Sequence, residues 1–233
     1  MNATNVVINA KDSAEIASNI TANNNVNITA GNGVTFTESA NTASNQGTAV
    51  NVGIGAGTTI NVETGVAVPH VNGSVGVNKT DNASSTATGA NVAAGNDIKI
   101  NANNGDVNLH GTNLVSNNSV EVEGNKVNTS DAISSVNEKN LTVNVNGSYA
   151  SGKPDGGINA KGKNEANVTN TANTIQSDNV VITTGSPTGL SVNNTTINGN
   201  NVAYYYDDSK APAANRYTYR PRQPSYAKRR LRY

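Results

Sequence analysis

The chain has 233 residues, no Cys, no Trp, one Met and a formal net charge of zero. Without thiols it has neither a disulfide framework nor a thiolate metal site, and no stretch approaches the ~20 apolar residues that cross a bilayer as a helix. Asn is the commonest residue, with 43 occurrences, and a compact core of this length would draw on far more Leu and aromatic side chains.

The amino terminus, MNATNVVINAKDSAEIASNI, lacks a basic segment followed by an apolar run. It is not a secretory signal and reads as part of the folded body, as expected of an internal start or a piece of a longer protein. The first patterned block, Ile20 to Thr37, alternates apolar and polar residues between turns rich in Asn and Gly. Period two means a strand with one buried face. A second block, Val92 to Val127, repeats the pattern with Ile98-Lys99-Ile100, Val107-Asn108-Leu109 and Val120-Glu121-Val122. The third, Ile175 to Val202, carries it again, more weakly, with Pro187 interrupting. Strands this short cannot each bury a core, so they predict rungs of a solenoid whose apolar column runs along the axis. The alternative for such a composition is a disordered polar segment, and the recurrent β-branched alternation argues against it in the three blocks.

Strands are predicted at Val26 to Thr29, Val34 to Thr37, Ile98 to Asn101, Val107 to Leu109 and Val180 to Thr183. Val26, Ile28, Ile98, Ile100, Val107, Leu109, Val120 and Val122 should point inward. Asn at the bends is suited to stacked amide ladders, and the Asn-Gly pairs starting at 32, 104 and 146 suit corners that require positive φ. Val26 and Ile98 are 72 positions apart and Ile98 and Val180 are 82 apart, which predicts a repeat unit of rungs plus an excursion. The excursions span about 47–80 and 136–169. Each holds a strand, a turn marked by Gly or Pro and a second polar strand, as in a hairpin.

The charge is split. Residues 1–203 have no Arg and carry eight Lys against fourteen Asp and Glu, whereas residues 204–233 carry six Arg and two Lys against two Asp. The second segment also holds seven of the eight Tyr, with Pro212, Pro221 and Pro224 preventing regular structure. It is expected to be a disordered basic tail. Arg216, Tyr217, Tyr219, Arg220, Arg222, Lys228, Arg229, Arg230 and Arg232 form a possible anion-binding set, since Arg interleaved with Tyr suits single-stranded nucleic acid, acidic polysaccharide or anionic lipid. The opposing reading is an unselected terminus.

Candidate chemistry is sparse. His70 and His110 stand 40 positions apart without paired ligands and read as solvated side chains; no metal site and no cofactor are expected. Glu121 and Glu123 share the solvated face of one strand rather than facing each other across a cleft, as glycoside cleavage requires. A polysaccharide lyase on a β-helix would need carboxylates gathered with Arg or Lys, and the first 203 residues contain no Arg. No catalytic residues are expected, and the chain is read as a non-enzyme.

The segments Ile20-Thr21-Ala22-Asn23-Asn24-Asn25-Val26 and Val92-Ala93-Ala94-Gly95-Asn96-Asp97-Ile98 resemble the haemagglutinin repeats of filamentous-haemagglutinin-like exoproteins. So does Asn104-Gly105-Asp106-Val107-Asn108-Leu109-His110-Gly111-Thr112-Asn113-Leu114. The resemblance covers roughly residues 5–203. It implies a right-handed parallel β-helix (an all-β solenoid) with hairpin-like excursions, in domains of 1–203 for the helix and 204–233 for the tail. It further implies secretion by the two-partner route to the surface of a Gram-negative bacterium, as an adhesin or as the stalk of a contact-dependent growth inhibition toxin. The implied partners are a host or neighbouring-cell receptor or glycan, the parent exoprotein and an outer-membrane transporter. The sequence has neither the Asn-Pro-Asn secretion motif nor the Val-Glu-Asn-Asn boundary that precedes a toxin in that family, so a fragment is expected. A polysaccharide- or nucleic-acid-binding protein acting through the tail is the alternative.

Overall fold

The computed structural model describes residues 1–207. Among them two compact units emerge: one of Met1–Asn41, Thr86–Ser134 and residues 169–207, the other of Thr42–Ser85 and Ser135–Val168.

The first unit is a right-handed parallel β-helix with three sheets. One full coil contributes a short strand to each sheet in turn, as in Ile20–Ala22, Val26–Ala30 and Val34–Phe36. The next coil places Asn91–Ala94, Asp97–Ala102 and Val107–His110 directly over them, all parallel and in register. Six strands stack in the first sheet, six in the second and five in the third.

Period-two patterning explains the core. In the second sheet Val6, Val26, Ile98, Val120, Val180 and Val202 form one inward column, and Ile8, Ile28, Ile100, Val122, Ile182 and Tyr204 form the next. A third column is small, Ala10, Ala30, Ala102 and Gly124, because it lies at a tight corner. Ile20, Val92, Leu114 and Ile175 face it from the first sheet, and Val34, Phe36, Val107, Leu109 and Val127 from the third. All eight side chains expected to point inward are buried. A one-residue slip would exchange them for Asn27, Lys99, Asn101 and Glu121.

Two expectations need correction. The repeat unit is a single coil. Stacked equivalents are separated by 20 residues (Val6 to Val26) and 22 residues (Ile98 to Val120, Val180 to Val202). The spacings of 72 and 60 occur only where a hairpin is inserted in the coil, from Val26 to Ile98 and from Val120 to Val180. Counting from block to block hid the shorter period. The Asn-Gly pairs also serve another purpose. Gly33 and Gly105 lie at corners without positive φ, and Gly105 is required because a Cβ there would run into the backbone of Asn32 and Gly33 in the coil beneath. Gly147 lies inside a strand, opposite Gly73.

Both insertions leave after a third-sheet strand and return to a first-sheet strand. They run as Ser39–Ile60 with Ala67–Thr88 and as Ala132–Ala150 with Lys153–Thr171. The second hairpin closes through Ser151 (φ 52°) and Gly152 (φ 77°), the two left-handed residues of a twist-matched two-residue turn. The outer parts of these hairpins make up the second unit, a four-stranded sheet in which the inner strands pair antiparallel from Ser135 opposite Ser85 to Ala150 opposite His70. No residue of that unit is buried.

Candidate contact surfaces

The outward positions of the β-helix are the first candidate surface, and here Asn acts structurally. At the bend before the second sheet, Asn25 accepts from the Asp97 amide (3.3 Å), and Asp97 accepts from Ser119 Oγ (2.6 Å) and Asn118 Nδ2 (2.7 Å). Further along, Asn179 Nδ2 donates to the Asn118 carbonyl (3.0 Å) and Asn201 Nδ2 to Asn179 Oδ1 (3.0 Å). The column therefore repeats once per coil and satisfies backbone groups that a bend would otherwise leave unpaired. A second ladder climbs the third sheet, from Asn128 Nδ2 to Asn108 Oδ1 (2.9 Å) and from Asn108 Nδ2 to Thr35 Oγ1 (3.4 Å). Asn113 donates to Asn91 (3.0 Å) on the first.

The outward row of the second sheet bears Lys99 over Glu121, 3.3 Å apart with both side chains about half exposed. A solvent-screened pair of this kind stabilises by under about 1 kcal/mol. Glu121 and Glu123 do lie on one face of one strand, flanked in register by Lys99 and Val181 and by Asn101 and Thr183. The two histidines are half-buried rather than solvated. His110 Nδ1 meets Ser130 Oγ of the coil above, and His70 Nδ1 meets Thr59 Oγ1 at 3.3 Å within the second unit. A ring nitrogen engaged by a neighbouring hydroxyl has a structural role. Among the described residues, no three His, Asp or Glu side chains are placed to hold a metal ion.

The second unit carries the main charge cluster. Lys163 bridges Glu138 (2.9 Å) and Glu165 (3.0 Å), and its hydrogen bonds to Glu138 and then Glu165 raise its pKa above the ordinary 10.5. Lys79, Asp81, Lys139, Leu141 and Lys163 line a shallow depression of about 260 Å³. A second, of about 370 Å³, lies beside Gln46, Lys79 and Asp81, where Gln46 donates to Asp81 at 2.9 Å. Both are open troughs in a single layer of strands, lacking the enclosure and converging polar groups of a small-molecule site.

Arg216, Tyr217, Tyr219, Arg220, Arg222, Lys228, Arg229, Arg230 and Arg232 all lie outside the described residues. The strand Asn201–Tyr206 reaches into the stretch that composition assigns to the tail, with Tyr204 donating to the Ser186 carbonyl at 3.0 Å and sharing a 2.7 Å bond with Thr184. Sequence reasoning overlooked Tyr204 as part of the helix because its neighbours are aromatic and charged; the inward period set by Val202 was the available signal. Among the described residues no helix is long and apolar enough to cross a membrane.

Comparison with known proteins is consistent with this architecture. The family model described as hemagglutinin repeat matches residues 71–204, more than half of the chain. No match was found among curated proteins or among solved structures.

Proposed function

This chain belongs to the hemagglutinin-repeat family, and on that premise we propose that it is a structural and adhesive segment of a large bacterial surface exoprotein. The observation that carries the reading is the division of labour along each strand: inward residues are interchangeable Val, Ile, Leu and Ala, while the side-chain variety faces outward in stacked rows. A stack of this kind keeps an extended surface rigid with few large side chains. Repeat membership and the β-solenoid fold support a role in contact between cells or between a cell and a surface, with export to the outside of a Gram-negative bacterium. Holding an adhesive tip or a toxin away from the cell is the same mechanical task. The receptor or glycan is met by the outward rows and the excursions, and the transporter partner acts on the parent exoprotein.

The test is binding of the fluorescently labelled full chain to bacterial and epithelial cells. Saturable binding displaced by excess unlabelled chain is expected. Binding that neither saturates nor is displaced would leave the segment as scaffold alone.

A second reading rests on the placement of all six Arg beyond residue 203, alternating with Tyr. In it the tail grips an anionic polymer. Binding to heparin or single-stranded RNA should then fall steeply with salt through counterion release. Tyr217→Ala and Tyr219→Ala should each remove on the order of 1–3 kcal/mol if bases stack on the rings. Equal weak binding with and without residues 208–233 would reject it.

A further inference from the structure

The sheet of the second unit has two chemically opposite faces, and one of them is apolar and exposed. In an antiparallel pair, residues directly opposite share a face. Val71 lies opposite Tyr149, Val75 opposite Val145 and Val77 opposite Val143, while the alternate positions pair Asn72 with Ser148, Ser74 with Asn146 and Asn78 with Thr142. The outer strands follow the same division. A Cβ on Gly53 or Gly57 would meet Ser74 Oγ at 2.8 Å or His70 Cε1 at 2.7 Å, so these glycines share the polar face. Val52 and Ile54, on either side of Gly53, therefore point to the apolar face. Gly157 lies beside the Asn146 side chain, which sends the adjacent Ile158 to the apolar face as well. The Lys163–Glu138–Glu165 cluster is on the polar face with Glu138.

Ile54 is 85% exposed, Ile158 76% and Val52 66%. Across four strands at ~4.8 Å spacing and nine residues at ~3.3 Å, the apolar area measures about 20 Å by 30 Å. That is about 600 Å², at the upper end of the largest apolar patch on an ordinary soluble monomer. The charged side chains on this face, Lys79, Asp81 and Lys139, are confined to the end remote from Val71 and Tyr149.

We propose that this face packs against the same face of a second copy of the chain, forming a symmetric dimer joined as a two-layer β-sandwich. Three features select that occupant. The face is built of strands, and sheet faces pack about 10 Å apart with side chains interdigitated. Its apolar span is uncharged, so it complements itself without a partner of opposite sign, as a two-fold interface requires. Two copies would together bury about 1,200 Å², the lower limit for a specific, reversible interface.

Sedimentation of the full 233-residue chain over a range of concentrations tests the proposal. A species of twice 23.9 kDa should dissociate on dilution. Val52→Lys and Val145→Lys should each weaken dimerisation by at least about 100-fold, whereas Asn51→Lys and Asn144→Lys, on the polar face, should leave it within about 3-fold. Circular dichroism of all four variants should match the parent, because every substituted side chain is already exposed. A chain that stays monomeric at every concentration overturns the proposal. So does a dimer that survives both apolar-face lysines, which would place the contact on the unpaired edges at Ser39–Ile60 or Lys153–Thr171.

Discussion

At the scale of the residue, stacking makes position decide the cost of a change more than chemistry does. Ile100 is fully buried between Ile28 and Val122, while Lys99 beside it points outward to Glu121. Ile100→Asp places an unpaired charge in the column and should destabilise by more than about 3 kcal/mol. Lys99→Ala should cost under about 1 kcal/mol. Urea melts followed by circular dichroism would separate them, and an unchanged melt for Ile100→Asp would refute the inward column. Glycine gives a second contrast. Gly105→Ala forces a methyl into the Asn32 backbone and should cost about 1–3 kcal/mol. Gly47→Ala meets nothing within 4 Å and should be neutral or stabilising by up to about 1 kcal/mol.

The elements differ in how they are held. Each bend before the second sheet depends on the column through Asn25, Asp97 and Ser119. Asp97→Ala should therefore cost about 1–2 kcal/mol by stranding the Asn118 and Ser119 donors, with Asp97→Asn recovering most of it because a carbonyl oxygen still accepts. Faster exchange of the Asn118 side-chain amide, which donates to Asp97, is expected in the alanine variant alone; equal exchange in both variants would overturn the assignment. The long hairpin strands instead rely on backbone pairing and exposed side chains. Ser39–Ile60 carries no charge and Lys153–Thr171 five; edge protection by lysine, the usual safeguard of an open strand, therefore belongs to the second hairpin only. There, Lys163 titrates above its ordinary value because its charged form is hydrogen-bonded to Glu138 and Glu165. A raised folded-state pKa means the contribution is complete below the unfolded value of 10.5 and is lost as pH rises through the higher folded value. Exchange-independent probes of this edge, such as limited proteolysis near Lys161, should show it unchanged to about pH 10 and loosened beyond, with Lys163→Met loosened at every pH.

For the whole molecule, stability resides in the coils. Among the described residues Asn201–Tyr206 completes its ladder with Asn179–Thr184, so the stack is expected to hold in a chain truncated after residue 207. The truncated chain should keep its melting temperature within about 2 °C, corresponding to under about 1 kcal/mol. Cutting at residue 203 instead removes the Tyr204 hydroxyl from Thr184 and the Ser186 carbonyl and should lower it clearly. Equal melting temperatures for the two truncations would show that the last strand adds nothing to the stack.

The sequence by itself determined the fold class and the core. Period-two alternation of β-branched residues admits one inward face per strand, so Val26, Ile98 and Val120 were legible without coordinates. Asn at the bends likewise predicted amide ladders of the kind seen from Asn201 to Asn179. Only the tertiary structure decided the 20- to 22-residue coil, because long insertions separate equivalent residues in the chain without separating them in space. It also decided why Gly105 is glycine, which depends on the approach of another coil rather than on local φ. The two faces of the excursion sheet were hidden for the same reason. Val75 and Val145 share a surface through pairing between two hairpins distant in sequence, and no local pattern specifies which strands meet.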